Sequence, residues 1–515
     1  MVAKQPETRF KRYNLLRYAW RFRCAAIGIA LLPFLLFEIS LRILDIGDVN
    51  EALDPFIAIN HPVSLFELNA EQTQYQTVAA RKRYFQNVSF PKTKTDDTFR
   101  IFCLGGSTVQ GRPFAVETSF TSWLKLQLEV ADPNRKWEVV NCGGVSYASY
   151  RLLPILTEVM NYEPDLVVIY TGHNEFLEDR TYAHLRDPSR WQSISQQAVR
   201  NIRTIHLARE MWHKITGDSV STQKVTLAAE VETILDHQAG LKSYQRDRTW
   251  QANVIEHFKF NIRKMIAICD SNRVPLYLCN PASNIRDCTP FKSAPTSGLD
   301  QATIQSIQQT KSDIPKQLQS RSVKPIRESA HRLTQLDPHN AATLYQAGLL
   351  LLNNGAGVAA RDVLLRAKDE DICPLRILTV MNEFLVSVPS GQALQVIDVQ
   401  EYFAERSPVQ IPGDNLFLDH VHPTIRGHQL IAEYLFERMV AQAIIKPPAD
   451  FAAQRSNRFR THLESLSEVY YQQGEIRLKG LQMWSRGHAG RVDLLIEENI
   501  QQNKNTNSSE ESEAP

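Results

Sequence analysis

The feature that most restricts this chain is a spaced series of short apolar runs. Phe99 to Leu104 (FRIFCL), Trp137 to Asn141 (WEVVN), Asp165 to Tyr170 (DLVVIY), Val274 to Cys279 (VPLYLC) and Leu394 to Val399 (LQVIDV) are near-continuous rather than alternating. Runs of this kind fit strands buried on both faces, as in parallel sheets. Helix-like stretches lie between them. From Thr118 to Val130, Phe120, Leu124 and Leu128 recur every fourth residue beside Trp123, forming one apolar stripe. Strands alternating with helices imply a three-layer α/β/α sandwich with a parallel sheet and right-handed crossovers.

Composition narrows the class. At roughly 150 residues per domain, 515 residues allow about three domains. Hydrophobic residues at 43% and charged residues at 22% exclude a disordered chain, a collagen and a polytopic membrane protein. The 58 Lys and Arg nearly cancel the 56 Asp and Glu, so a nucleic-acid partner is not expected. Seven Cys with no C-x-x-C pair or Cys/His cluster support neither a disulfide scaffold nor a structural zinc site.

The N-terminus carries a compartment signal. Lys4, Arg9, Lys11, Arg12, Arg17, Arg21 and Arg23 face one acid, Glu7, and the apolar run Cys24 to Phe37 follows. Ile39, Leu41, Ile43 and Leu44 extend it past Glu38 and Arg42. The unbroken run is shorter than the roughly 20 residues of a bilayer span. A cleaved signal peptide and an interfacial or buried helix therefore stand as alternatives. No small-x-small site follows, which favours an uncleaved single-pass anchor. The basic flank then leaves the N-terminus cytoplasmic and the rest of the chain extracytoplasmic, on the periplasmic side.

The expected organisation is a basic cytoplasmic segment (1–23), a transmembrane anchor (24–45), a linker or N-terminal region (46–95) and an α/β domain in three pieces (96–180, 251–295 and 386–445). A polar helical insert (181–250) and a second helical insert (296–385) separate those pieces. Further helices (446–500) and a disordered polar tail (501–515) close the chain. Within the second insert, the stretch from Asp337 places Ala342, Tyr345, Gly348, Leu349, Ala359, Leu364 and Ala367 at helical spacing around a Gly-rich turn, resembling one tetratricopeptide unit. It reads either as a helical hairpin packed on the α/β domain or as part of a partner-binding array.

Four short blocks carry the chemistry. Gly105-Gly106-Ser107-Thr108 follows the first strand, where glycines permit a sharp turn that presents a serine at the sheet's carboxyl end. Asn141-Cys142-Gly143-Gly144-Val145-Ser146 ends the second strand and offers backbone N–H groups to an anion. Thr171-Gly172-His173-Asn174-Glu175 ends the third. Leu418-Asp419-His420-Val421-His422-Pro423 precedes the helical stretch Thr424 to Met439. A carboxylate three residues before a histidine can hold its Nδ1–H and leave Nε2 as a base. Read one at a time, the blocks are also plain turns, loops and a helix cap, and Asp419, His420 and His422 are formally possible metal ligands.

Together and in this order the blocks resemble the SGNH (GDSL-like) hydrolase superfamily. The similarity is to its membrane-anchored bacterial members with tetratricopeptide-like helical inserts, and to its flavodoxin-like sandwich. The resemblance implies a serine esterase working through an acyl-serine intermediate. Ser107 is then the nucleophile, His422 the base and Asp419 its orienter. The oxyanion hole would draw on the N–H of Ser107, on a backbone N–H of Gly143, Gly144 or Ser146, and on the Asn174 side chain. It implies no metal or organic cofactor and a small-molecule or glycan ester as substrate. Two positions depart from the family: Gly106 stands where Asp is usual, and Ser146 where Gly is common. His173, Glu175 and Arg286 are weaker substrate-binding candidates; Lys292 and Arg376 are further cations that could meet an anion. An O-acyltransferase of surface polysaccharide, and a non-catalytic interaction protein using its helical inserts to bind a protein partner, are the competing functions.

Overall fold

The structure, a computed structural model, describes residues 26, 32–34, 36–41, 59–60, 64–178, 225–226 and 240–488. Two compact units are present: Met1–Asn60 with Ala183–Leu227, and His61–Tyr182 with Ala228–Pro515. In the first, residues 32–34 and 36–41 are helical, and Ile59 and Asn60 pair in parallel with Val225 and Thr226. Most of the expected anchor (24–45), most of the first insert and the tail 501–515 lie outside the described residues. Among the described residues no helix is long and apolar enough to cross a membrane.

The second unit opens with a small antiparallel sheet, β1 (Phe66–Leu68), β2 (Gln74–Thr77) and β3 (Ser89–Pro91), in a region expected to be a linker. The apolar signal was too short to announce it. Its stability comes from aromatic packing: Phe66, Tyr75, Phe90 and Tyr162 pack with ring centroids 4.5 to 5.9 Å apart.

All five expected strands form the main sheet: β4 (Thr98–Gly105), β5 (Lys136–Gly143), β6 (Leu166–Tyr170), β7 (Leu276–Asn280) and β8 (Leu394–Asp398). Every pairing is parallel and the spatial order is β5-β4-β6-β7-β8. Numbered within the sheet this is 2-1-3-4-5, the doubly wound order that reverses between β4 and β6 and opens a crevice there. β4 continues into the short helix α1 (Ser107–Gln110).

Side chains alternate across the sheet. Ile101, Cys103, Leu166, Val168 and Tyr170 share one core with α2 (Phe120–Ala131), where Trp123, Leu124 and Leu128 form the expected stripe. α10 (Val399–Glu405), α11 (Ile425–Ala441) and α12 (Phe451–Ser465) complete that layer. Phe102, Leu104, Val167 and Ile169 are buried on the other set of positions. There α3 (Ser149–Val159) packs against β4 and α4 (Arg248–Ser271), and α9 (Thr379–Ser387) against β7.

The second insert forms α5 (Gln301–Gln319), α6 (Val323–Leu336), α7 (Ala341–Asn353) and α8 (Gly357–Asp369) around a core of their own. A Cβ on Gly348 would lie 2.7 Å from Leu364, so the glycine lets α7 and α8 close on each other. Ile285 and Ile411, from loops of the sandwich, join this core. The insert is thus packed on the α/β layers. A last helix, α13 (Glu468–His488), follows α12.

Buried Arg100 ties the two sheets. Its guanidinium donates to Glu138 at 2.7 Å, to the Tyr162 carbonyl at 2.8 Å and to the Pro91 carbonyl of β3 at 2.9 Å. Arg100→Ala leaves the buried Glu138 with only the half-exposed Lys136 at 3.3 Å, and a loss of about 3–5 kcal/mol is expected. Urea unfolding checks it; a loss under about 1 kcal/mol, as for an exposed pair, would refute the tie.

Candidate active site

The first block forms at the end of β4 because its glycines permit close approach. A Cβ on Gly105 would meet the Tyr170 carbonyl of β6 at 2.2 Å, and one on Gly106 would lie 2.6 Å from Asn174 Nδ2. The second distance gives a reason for glycine at 106: the Asn174 amide occupies the space a side chain there would need. Ser107 then opens α1 with its N–H unpartnered among the described residues, as first-turn amides of helices are.

Ser107 and His422 are 315 positions apart, yet Ser107 Oγ lies 2.7 Å from His422 Nε2. His422 Nδ1 is 2.6 Å from Asp419 Oδ2. A carboxylate accepts, so the ring hydrogen sits on Nδ1 and Nε2 faces the hydroxyl as an acceptor. Asp419 Oδ1 accepts the N–H groups of Val421 at 2.9 Å and His422 at 2.8 Å, which folds the loop around the carboxylate. Burial alone would raise the Asp419 pKa; the charges of His422 and His420 and the hydrogen bonds from His422 outweigh it and carry the carboxyl well below its ordinary range. Asp419 therefore stays ionised. His420 lies 3.5 Å from the same carboxylate, but burial holds its pKa down at about 4, so it is neutral at pH 7.

The loop is closed by a bond from Leu418 N–H to the His422 carbonyl at 2.9 Å, and Thr424 caps α11 behind it by accepting the Gly427 N–H at 3.0 Å. Two distant segments hold it in place. Thr108 Oγ1 donates to the Val421 carbonyl at 3.4 Å. Asn284 donates from Nδ2 to the Asp419 carbonyl at 3.1 Å and from its backbone N–H to the His420 carbonyl at 3.0 Å. Arg376, just after the helical insert, in turn donates to the carbonyls of Asn284 at 2.8 Å and Cys288 at 3.0 Å.

Further N–H donors lie beside the block that carries Ser107. Asn174 Nδ2 gives one hydrogen to the Tyr147 carbonyl at 3.0 Å and keeps a second. Within 143–146, Gly143 N–H goes to Asn141 Oδ1, Gly144 N–H to the Gly105 carbonyl and Val145 N–H to the Tyr84 carbonyl. Gly144 is thereby removed from the candidate donors: its N–H is consumed in joining β5 to β4. Ser146 alone of the four keeps an N–H without a partner among the described residues, and it adopts φ +62°. A left-handed residue at this turn is what glycine supplies without strain, and Ser146 adopts it at a cost.

Three weaker candidates have other engagements. His173 Nδ1 accepts the Ile377 N–H at 3.2 Å, and burial together with the nearby histidines and Lys368 holds its pKa near 3. Glu175 is buried against the start of α3, accepting the N–H and hydroxyl of Ser149 at 2.8 Å each, and burial pushes its pKa up to about 7. Arg286 is paired with its neighbour Asp287 at 2.8 Å. Lys292, bonded to the Leu241 and Lys242 carbonyls, is likewise a structural cation. From the sequence, the stretch Asn280 to Arg286 after β7 is expected at the active-site end of the sheet, with Arg286 its candidate; the structure gives the contact with the Asp419 loop to Asn284 instead.

No family model matches the sequence, and no curated protein matches it. Among solved structures it is similar to a lipolytic protein of the G-D-S-L family from Desulfitobacterium hafniense, at 12% identity and TM-score 0.28, covering 66% of this chain and 98% of that one. It is also similar to the acetyl xylan esterase AlAXEase, at 12% and 0.27 over 66% and 99%, and to a lipase/acylhydrolase from Enterococcus faecalis, at 13% and 0.27 over 68% and 99%. Likenesses of this size carry no argument of their own; the chemistry rests on the contacts around Ser107 and His422.

If Asn284 positions the Asp419 loop, Asn284→Ala slows covalent labelling of Ser107 by a fluorophosphonate about 10- to 100-fold, since small displacements of a catalytic group cost that much. Labelling at the parent rate by folded variant protein would remove Asn284 from this role.

Proposed function

We propose that the chain is a serine hydrolase of the SGNH type acting on carboxylic esters. The observation that carries this reading is the continuous series Ser107 Oγ, His422 Nε2, His422 Nδ1 and Asp419, with contacts of 2.7 and 2.6 Å. A serine hydroxyl is a weak nucleophile at neutral pH and needs a base in hydrogen-bond reach. In the proposed reaction Ser107 Oγ attacks the ester carbonyl while His422 Nε2 takes its proton. The ionised Asp419 stabilises the imidazolium without accepting the proton. The Ser107 and Ser146 N–H groups and the second amide hydrogen of Asn174 face the developing oxyanion. His422 then returns the proton to the departing alcohol. Water, deprotonated by the same nitrogen, releases the acid and restores Ser107.

The substrate class we propose is an acylated carbohydrate or similar envelope ester. This follows from the family resemblance together with an N-terminal membrane anchor that leaves the catalytic unit on the periplasmic side. Large apolar side chains in the described helical residues support the anchor: Leu32, Phe34, Leu36, Phe37 and Ile39 are 44 to 65% exposed. Full-length protein is then expected in the membrane fraction after alkaline carbonate extraction, and a variant lacking residues 1–45 in the supernatant. Recovery of full-length protein in the supernatant would refute the anchor.

Hydrolysis of 4-nitrophenyl acetate tests the chemistry. Ser107→Ala and His422→Ala should each lower kcat by about 10³-fold or more, with Asp419→Asn comparable. A folded Ser107→Ala protein with undiminished turnover would overturn the mechanism.

A further inference from the structure

Among the described residues, Arg112 is a charged group close to this site to which the fold gives no counter-ion. It follows α1 closely, and its backbone N–H donates to the Ser107 carbonyl at 3.1 Å. Its guanidinium is half-buried, yet among the described residues it makes no hydrogen bond and no ion pair. Partly desolvated cations are normally paired, because withdrawing a charge from water costs several kcal/mol.

Its nearest charged influence makes matters worse. Burial and the guanidinium of Arg477, on α13, both push the Arg112 pKa down. Arg477 has no carboxylate partner among the described residues either. It donates to the Pro113 and Phe114 carbonyls at 3.2 and 2.6 Å, which fixes it against the loop carrying Arg112.

α13 holds this pair against the segment that follows Ser107. Tyr470 Oη is 2.7 Å from Thr118 Oγ1, and its ring stacks on Phe114 at 6.1 Å. Gln482 Nε2 donates at 3.3 Å to the carbonyl of Leu418, the residue before Asp419. The helix therefore runs from the loop after Ser107 to the loop bearing Asp419 and His422.

Two guanidiniums on this segment, neither offset by an acid among the described residues, form a receptor lacking its counter-charge. We propose that Arg112, with Arg477 beside it, binds an oxyanion carried by the substrate, so that the preferred ester is that of an acidic glycan. A guanidinium fork suits carboxylate and phosphate alike. This rests on the esterase reading but can be separated from it, because the site binds its anion without turnover.

The experiment uses full-length protein carrying Ser107→Ala, titrated calorimetrically with oligogalacturonate, with glucose 6-phosphate and with neutral cello-oligosaccharide. One of the anionic probes should bind, weakening as salt rises, and the neutral one at least tenfold more weakly. Whichever anion binds identifies the source. Adding Arg112→Gln should weaken anion binding tenfold or more and leave the melting temperature unchanged or higher, since it removes a repulsion and breaks no bond. In protein with Ser107 restored, Arg112→Gln should raise KM for the matching acetylated anionic sugar and leave 4-nitrophenyl acetate kinetics unaltered. Equal binding of neutral and anionic probes, anion binding indifferent to Arg112→Gln, or a lowered melting temperature for that variant would each overturn the proposal. Failure of the parent to hydrolyse any ester would instead count against the esterase and leave the binding result to stand by itself.

Discussion

The arrangement depends on keeping one buried carboxylate ionised. Asp419 is almost fully removed from water, an environment that favours its neutral form. It remains an anion because two amides of its own loop and one imidazole supply the hydrogen bonds that water would otherwise give. Those donors meet it only if residues 419 to 422 hold a single conformation. The bond to Leu418, the cap at Thr424 and the grip of Asn284 and Thr108 secure that conformation. Imidazole tautomer, the direction of Nε2 and the contact with Ser107 all follow from this charge.

Much of this was legible in the amino-acid order. Parallel strands buried on both faces leave continuous apolar runs, and all five were visible to within two residues. The Ser, Asn and Asp-x-x-His blocks sit at strand ends or ahead of a helix, where backbone turns must occur. Less visible were interactions governed by pairing across the sheet. Nothing local to Gly144 reveals that its N–H is taken by Gly105, because that bond depends on the register of β5 against β4. Glu175 looks like a free carboxylate beside Asn174 until α3 is placed over it. The small sheet at 66–91 hid for a different reason: its strands are three or four residues long and gain their stability from Tyr162, a residue far along the chain.

The helical insert also takes on a definite structural role. Asp371, at the end of its hairpin, accepts the N–H groups of Phe291 and Lys292 at 2.6 and 2.9 Å, while Lys368 donates to the Ile377 carbonyl at 2.7 Å. Through Arg376 and Asn284 that framework reaches the backbone of Asp419. A module that looks appended is thus continuous with the loop that carries Asp419 and His422.

The long separation between Ser107 and His422 has a temporal consequence. A ribosome delivers Ser107 some three hundred residues before the imidazole it pairs with. Closing so long a chain segment is entropically tolerable, since each doubling adds only about 0.6 kcal/mol. During synthesis, however, the hydroxyl does not yet have the His422 imidazole beside it. The Ser107–His422 contact can therefore form only after residue 422 has been made and the loop bearing Asp419 has closed on it.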